Sequence, residues 1–366
     1  MRIAFYAPLK SPDHPVPSGD RLMARLLMRA LEKAGHQVEL ASALRAYANE
    51  ESIACQQEIA RRGGDEAARL IEAWTGKGAR RPDLWFTYHL YYRAPDWIGP
   101  AVAEALAIPY VVAEASFAMK RAEGVWKTGH DAVERALGRA DAVFLLASGD
   151  RAGLARARGF SAPVIDLPPF IDPGPAPAPR RQSAAPRLLA VGMMRARAKV
   201  ESYRILGRAL AALTDLDWHL EIAGDGPART EVEQALGALG SGRVSFLGAL
   251  EPDRLACAYE RADLLVWPGY DEAYGMVYLE AQAAGLPVGA MNHRGVANVV
   301  QDGISGRLTE AGDEACFSAA IRALIEQPGA RSALGAKART FIERERSLTG
   351  AAHILAAALD QLVHAA

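Results

Sequence analysis

The sequence predicts an α/β protein built from two doubly wound domains, and three observations carry that reading. Short apolar runs alternate with amphipathic helical stretches through the first half of the chain, and after a break they alternate again. The break is Pro168-Pro169-Phe170-Ile171-Asp172-Pro173-Gly174-Pro175-Ala176-Pro177-Ala178-Pro179, whose prolines cannot sustain a backbone ladder. At 366 residues the chain exceeds one ordinary core and suits two domains of usual size. The expected division is a first domain over 1–168, a proline-rich linker over 169–186, a second domain over 187–340, and a C-terminal helix over 341–366 that returns to the first domain.

The elements follow in order. Residues 3–7 form an apolar run halted by Pro8 and read as the first strand; Ser18-Gly19-Asp20 then opens a helix over 21–34, stopped by Gly35. The second strand is 38–41, followed by a polar helical stretch from 44 to 75. Strands at 83–88, 109–113, 142–146 and 163–166 come next with helices between them, one of them over 95–107. Past Pro186 the strands are 188–192, 219–223, 244–247, 264–267, 288–290 and 306–308. Helices fall at 200–213, 229–239, 252–261, 276–284 and 314–325, and 330–366 is helical with apolar residues at intervals. Strands alternating with helices in this way argue for parallel sheets covered on both faces, with ligands at the carboxyl ends of the strands. A shared ligand is therefore expected in a cleft between the domains.

Composition removes several functional classes. Half of the residues are hydrophobic and 23% are charged, so each domain has material for a sizeable core. Net charge is −1 without a long basic block, which argues against nucleic acid as a partner. Cys55, Cys257 and Cys316 are too scattered for a metal set or a disulfide framework, so a reducing cytoplasm is expected. The opening Met1-Arg2-Ile3-Ala4-Phe5-Tyr6-Ala7-Pro8 reads as a strand rather than a signal peptide. No run approaches the ~18 apolar residues that span a bilayer. Contact with a membrane surface stays open.

The most informative segment is Asp271-Glu272-Ala273-Tyr274-Gly275-Met276-Val277-Tyr278-Leu279-Glu280-Ala281-Gln282-Ala283-Ala284-Gly285-Leu286-Pro287-Val288. It follows an apolar strand and Pro268-Gly269, and a helix begins near Gly275. Such a start leaves the N–H groups of Gly275, Met276 and Val277 without helical partners, which makes an anion site. Glu272 stands before the helix and Glu280 in its second turn, a span of ~12 Å at helical rise. A carboxylate on each side of an anion site suits the hydroxyls of a nucleotide-sugar around its diphosphate. The plain alternative, a dipole partner and a solvated helix residue, has about even odds for an isolated pair. The flanking Pro-Gly, Tyr-Gly and Ala-Ala-Gly-Leu-Pro-Val pieces weigh against it.

Other motifs are less specific. Ser18-Gly19-Asp20 offers a backbone approach to a phosphate at Gly19, although simple capping by Ser18 or Asp20 is the better reading of the triplet alone. No G-x-G-x-x-G follows the first strand, and Gly224-Asp225-Gly226-Pro227 lacks a third glycine, so a dehydrogenase loses its main support. Val191-Gly192-Met193-Met194-Arg195-Ala196-Arg197-Ala198-Lys199 brings cations to a helix start, where they would stabilise a departing diphosphate. Tyr88, Tyr91, Tyr92 and Trp97 form either a sugar platform or ordinary core, and core is favoured. Arg21, Arg25, Arg29 and Lys33 share a helix face, which reads as solvated rather than membrane-bound.

With these residues in view, the chain resembles the retaining glycosyltransferases of family 4. The resemblance is strongest over 188–308: Val191-Gly192 to Lys199, Ile222-Ala223-Gly224-Asp225-Gly226-Pro227, Val244-Ser245-Phe246-Leu247-Gly248, Glu272 to Glu280 with Ala284-Gly285-Leu286-Pro287-Val288, and Asp302-Gly303-Ile304-Ser305-Gly306. It implies the GT-B fold, two Rossmann-like domains facing a cleft. It implies a donor ribose on Glu280, donor-sugar hydroxyls on Glu272, and the distal phosphate on Gly275–Val277 beside Tyr274. Lys199 and Arg195 would neutralise the diphosphate, and Gly19 would cover it from the first domain. Ser18, Asp20 and His89 would belong to the cleft or acceptor side.

By the same resemblance the partners are a nucleotide-sugar donor and a saccharide, lipid-linked or small-molecule acceptor. No metal and no further cofactor is implied, and the place of action is the cytoplasm or the inner membrane face. Two departures bear on the chemistry. Met193 stands where the family usually has arginine, with Lys199 one place late, and Val112-Ala113-Glu114-Ala115-Ser116-Phe117 lacks the usual histidine. The rival readings are a nucleotide-sugar-binding protein without turnover and, less favoured, a nucleotide-sugar epimerase.

Overall fold

The structure is a computed structural model and describes residues 1–177, 185–240 and 242–365. It resolves into two compact units: unit 1 comprises Met1–Pro168 with Leu348–Ala366, and unit 2 is Pro169–Ser347.

In unit 1 the order is β1 (Arg2–Tyr6), α1 (Gly19–Lys33), β2 (Gln37–Ser42), α2 (Ile53–Thr75), β3 (Leu84–Leu90), α3 (Gly99–Leu106), β4 (Tyr110–Ala115), α4 (Lys127–Arg139), β5 (Ala142–Leu145), α5 (Arg151–Leu154) and β6 (Val164–Asp166). The strands form one sheet in the order β2-β1-β3-β4-β5-β6, parallel throughout. Covered on both faces, its interior strands are continuous apolar runs rather than alternating ones. Phe5, Phe86 and Phe144 are fully buried and stack in sequence, with ring centroids 5.8 and 6.1 Å apart. One carboxyl lies deep in this core. Asp96 accepts from the Ile98 and Gly99 amides at 2.9 and 2.8 Å, opening α3, and from Thr87 Oγ1 and the Tyr110 hydroxyl at 2.5 and 3.1 Å. Burial raises its carboxyl while these bonds oppose the shift, and the group is used up by structure.

Unit 2 runs β7 (Arg187–Val191), α6 (Ala198–Ala211), β8 (His219–Ala223), α7 (Arg229–Leu236), β9 (Val244–Gly248), α8 (Pro252–Arg261), β10 (Leu264–Val266), α9 (Met276–Ala283), β11 (Val288–Asn292), β12 (Gly306–Glu310), α10 (Glu314–Glu326) and α11 (Pro328–Glu345). Its sheet is also six-stranded and parallel, in the order β12-β11-β10-β7-β8-β9. The last helix, α12 (Leu348–Ala365), belongs to unit 1, where it packs against α1.

Three expectations change in detail. The helix expected over 44–75 begins at Ile53: Ser52 caps it through the Cys55 amide at 3.2 Å, while Ala46 and Ala48 donate to Pro8 and Arg93 carbonyls and hold the preceding stretch extended. The expected boundary at 341 cuts through α11, which continues to Glu345, so the chain leaves unit 2 after Ser347. The first part of the expected linker is a strap on unit 2. Ile171 N donates to Arg346 O at 2.9 Å, and the Arg339 guanidinium donates to the Pro173 and Gly174 carbonyls at 2.6 and 2.8 Å. Residues 178–184 of that linker lie outside the described residues.

Candidate functional site

The winding of each sheet reverses once, and charged side chains gather at both reversals. In unit 2, β7, β8 and β9 proceed outward, and β10 then pairs on the other side of β7. The loops after β7 and β10 therefore leave the same end of the sheet and diverge, which is where doubly wound sheets bind ligands. Lys199, the second residue of α6, follows β7; Glu272 follows β10. Their side chains form an ion pair with exposures of only 25% and 15%, so solvent screens it little. Trp267 Nε1 donates to the same Glu272 oxygen at 3.2 Å, and the ammonium lies 5.4 Å from the Trp267 ring centroid. Cation, carboxylate and indole thus come from two loops that the fold brings to one point.

The α9 helix starts beside this pair. Gly275 precedes it with φ +80°, and an added Cβ would stand 2.7 Å from the Tyr278 ring. No side chain caps the helix, and the N–H groups of Gly275, Met276 and Val277 have no hydrogen-bond partner among the described residues. Tyr274 is buried just before them. One turn further, Glu280 accepts a hydrogen bond from the Tyr259 hydroxyl on α8 at 2.7 Å. Burial raises the Glu280 carboxyl, and the Tyr259 bond pulls the other way.

The glycines that failed as a dinucleotide fingerprint have a packing role. Gly192 N donates to Ala223 O at 3.0 Å and Met194 N to Asp225 O at 2.9 Å, zipping the loop after β7 against the loop after β8. A Cβ on Gly224 would stand 2.0 Å from the Gly192 carbonyl oxygen, and one on Gly226 2.4 Å from that of Met194. Met194 is fully buried by this closure. Arg195 and Arg197 are exposed and have no ion pair among the described residues, so Lys199 is the cation brought to Glu272.

In unit 1, β2 lies on one side of β1 and β3 on the other, so the reversal falls between β1 and β3. Ser18 caps α1, its hydroxyl accepting from the Arg21 amide at 3.2 Å, and Gly19 is the first helical residue. Asp20, next along, reaches His89 at the end of β3 with Oδ1 to Nδ1 at 3.3 Å. Glu114, near the end of β4, lies 3.9 Å from the same Nδ1. Burial alone would lower the His89 pKa, but Glu114 and Asp20 outweigh it and push the imidazole up to about 9. Burial raises Glu114 despite His89. Asp20 is held low by His89 and Lys10 against the effect of burial.

The sequence reading joined Asp20 and His89 only as members of one cleft, and it missed Glu114, Tyr259 and Trp267. Glu114 had one usable signal, a carboxylate inside the apolar run Val111-Val112-Ala113-Glu114-Ala115. Tyr259 had none beyond its helix. Tyr88 is core, as favoured, whereas the face of Tyr92 is covered by Arg121. Among the described residues no group of three or more His, Cys, Asp and Glu side chains is placed to hold a metal ion, and no helix is long and apolar enough to cross a membrane.

Comparison with known proteins follows this division. Residues 185–327 match the family described as Glycosyl transferases group 1. D-inositol 3-phosphate glycosyltransferase of Rhodococcus jostii is 37% identical over 125 residues, 33% of this chain and 27% of that protein. The enzyme of the same name from Geodermatophilus obscurus is 38% identical over 144 residues, 37% of this chain and 32% of that protein. The matches thus span about a third or less of these relatives' length. Solved structures match over the whole chain. Sucrose-phosphate synthase from Thermosynechococcus elongatus has a TM-score of 0.76 at 21% identity and full coverage of both chains. Anabaena HepE, solved in complex with UDP, has 0.71 at 18%, over 99% of this chain and all of that one. The chain has the GT-B fold, and its residues 185–327 are similar to the group 1 glycosyl transferases.

Proposed function

We propose that this protein is a metal-independent glycosyltransferase that moves a sugar from a nucleotide-sugar to an acceptor hydroxyl with retention of anomeric configuration. The observation that carries the proposal is the Lys199–Glu272 pair at the reversal of the unit 2 sheet, next to the open first turn of α9. In this reading the Gly275, Met276 and Val277 amides hold the distal phosphate, and Lys199 meets the charge that grows on the diphosphate as the glycosidic bond breaks. Glu272 binds donor-sugar hydroxyls, and its second role is to hold Lys199 in place. Glu280, steadied by Tyr259, takes the ribose. Arg195 adds positive potential from the surface. Unit 1 takes the acceptor, in the synthesis of a cell-surface glycan or glycolipid at the cytoplasmic side.

The names of the curated relatives support sugar transfer, and HepE solved with UDP and with UDP-glucose makes uridine donors the first to try. The test is donor turnover. Wild type should release nucleoside diphosphate from one member of a nucleotide-sugar panel, and Glu272→Ala should abolish release while still binding the diphosphate in a thermal-shift assay. Binding without turnover for every donor and acceptor would leave a nucleotide-sugar-binding protein. Conversion of a donor without any acceptor would indicate an epimerase. No shift with any nucleotide would remove the donor site itself.

A further inference from the structure

The charge cluster at the reversal of the unit 1 sheet is open to solvent on one side. His89 on β3 lies level with Glu114 on β4, because Tyr88 pairs with Ala113 and Leu90 with Ala115. Both residues have left-handed backbone, at φ 65° and 58°, and neither is a glycine. Strained backbone of this kind persists where the surroundings enforce it, and it collects at ligand sites. Glu114 is buried, and the Tyr88 hydroxyl bonds to its carboxyl. His89 Nδ1 lies 3.3 Å from Asp20 and 3.9 Å from Glu114 and is closed to solvent. The side chain is nevertheless 21% exposed, so the open part of the ring is the remainder, which carries Nε2. Asp20 is 37% exposed beside it.

Tyr91 completes this patch. Its ring centroid is 5.2 Å from that of His89, and the Asp20 charge is felt by both groups. The phenol is half-buried, and the turn that carries it is fastened. Tyr91 bridges Ala94, Ala48 N donates to Arg93 O at 2.8 Å, and Ser116 N donates to Leu90 O at 2.9 Å. A partly open aromatic ring beside one fixed donor and one carboxylate suits a hydroxylated ring, with C–H groups on the phenol and hydroxyls on the polar groups. Lys10 and His89 stand against Asp20, Glu114 and Asp150, so the patch has no surplus of positive charge for a phosphate.

We propose that this patch binds a neutral sugar ring of the acceptor, with Tyr91 as its platform, His89 Nε2 donating to one hydroxyl, Asp20 accepting from another, and Glu114 as the positioning residue that holds His89. Its role as the acceptor's subsite rests on the glycosyltransferase reading; the binding of a sugar there does not. With Asp20 and Glu114 both at Nδ1, a deprotonated ring keeps its one hydrogen on that side, and Nε2 turns from donor to acceptor.

Ligand-detected NMR titration of the full chain, with saturating uridine diphosphate present, tests the site. The probes are the methyl glycosides of glucose, galactose, mannose and N-acetylglucosamine, with glucose 6-phosphate and mannose 6-phosphate beside them. At least one glycoside should bind, and Tyr91→Ala and His89→Leu should each weaken it by about 10-fold or more. Tyr91→Phe, which keeps the ring, should bind as wild type does, and this separates a lost platform from a damaged fold. The proposal is overturned if no glycoside binds, if binding survives both substitutions, or if a 6-phosphate binds more than about 10-fold tighter than its parent sugar. The part of Glu114 is read from pH. The glycoside Kd should be constant near neutrality and rise as pH passes about 9, where His89 gives up its proton. Glu114→Gln should move that rise to lower pH, and a rise at an unchanged pH overturns its positioning role. Turnover then separates the site from the reading beneath it. A Tyr91-dependent glycoside site in a chain that turns over no donor keeps the site and removes the glycosyltransferase. Transfer to a glycoside with a KM unaltered by Tyr91→Ala keeps the glycosyltransferase and removes the site.

Discussion

The two sheet reversals use the same layout with opposite economies of strain. Each places an acid and a base at the element ends and loops that flank the switch point, Asp20 with His89 in unit 1 and Lys199 with Glu272 in unit 2. Six non-glycine residues among those described have positive φ, and they include His89 at 65°, Glu114 at 58°, Arg197 at 69° and Asp271 at 57°. Such backbone costs on the order of 1–3 kcal/mol per residue and persists where the surroundings enforce it. At the unit 1 reversal the strain falls on members of the charge cluster itself, His89 and Glu114. In unit 2 the strain sits beside the pair, on Arg197 and Asp271, and Lys199 and Glu272 have ordinary backbone. The first arrangement locks a charge cluster in one geometry. The second fixes the loops and leaves the side chains able to exchange each other for a ligand.

The sharpest way to break this comparison is Glu272→Gln. It keeps the size of the side chain and removes the charge that holds Lys199, and donor turnover should fall by about 10²- to 10³-fold. Unchanged kcat would show that the pair is structural, like Asp96. Next comes Glu280→Ala, which strips Tyr259 of its acceptor and should weaken nucleoside diphosphate binding by about 10- to 100-fold in a calorimetric titration. Equal affinity in wild type and variant would detach Glu280 from the donor.

The third prediction concerns the locked cluster. Below pH 6.5 His89 is protonated both folded and unfolded; between 6.5 and about 9 only the folded chain keeps the proton. The stabilisation is therefore complete below 6.5 and lost as pH rises through about 9. Melting temperatures of wild type should decline across that window, and His89→Gln should flatten the decline. Parallel slopes would mean that His89 gains nothing from Asp20 and Glu114. The smallest effect belongs to Ser18→Ala, about 1 kcal/mol of stability for the lost cap, with donor turnover unaltered. A drop in turnover at constant stability would instead put Ser18 on the ligand.

The strand and helix order was legible because each element is announced locally, by apolar runs and by Gly, Pro and Ser at its ends. The positions of Glu272 and Glu280 around the start of α9 were legible for a related reason: a strand end, a glycine and a helix start follow one another within a few residues. Glu114 was not, since its importance comes from β3 lying beside β4, a pairing that no local pattern states. Tyr259 reaches Glu280 across 21 residues, and the ring of Trp126 meets that of Tyr92 across α3, β4 and the turns after it. The strap over 169–177 misled for the opposite reason. Proline content announces an extended chain correctly but does not say whether hydrogen bonds from α11 fasten it down.

The division of unit 1 into two pieces has a consequence for how the chain is made. Synthesis proceeds from the N-terminus, and domains tend to fold as they emerge. Here the helix that packs on α1 is encoded after all of unit 2. The side of α1 that meets α12 is therefore laid down first and covered last. Unit 2, unbroken from Pro169 to Ser347, is complete in sequence before the segment that closes its predecessor is added. A chain truncated after Ser347 would keep the whole of the second unit and leave the first without the helix that packs on α1.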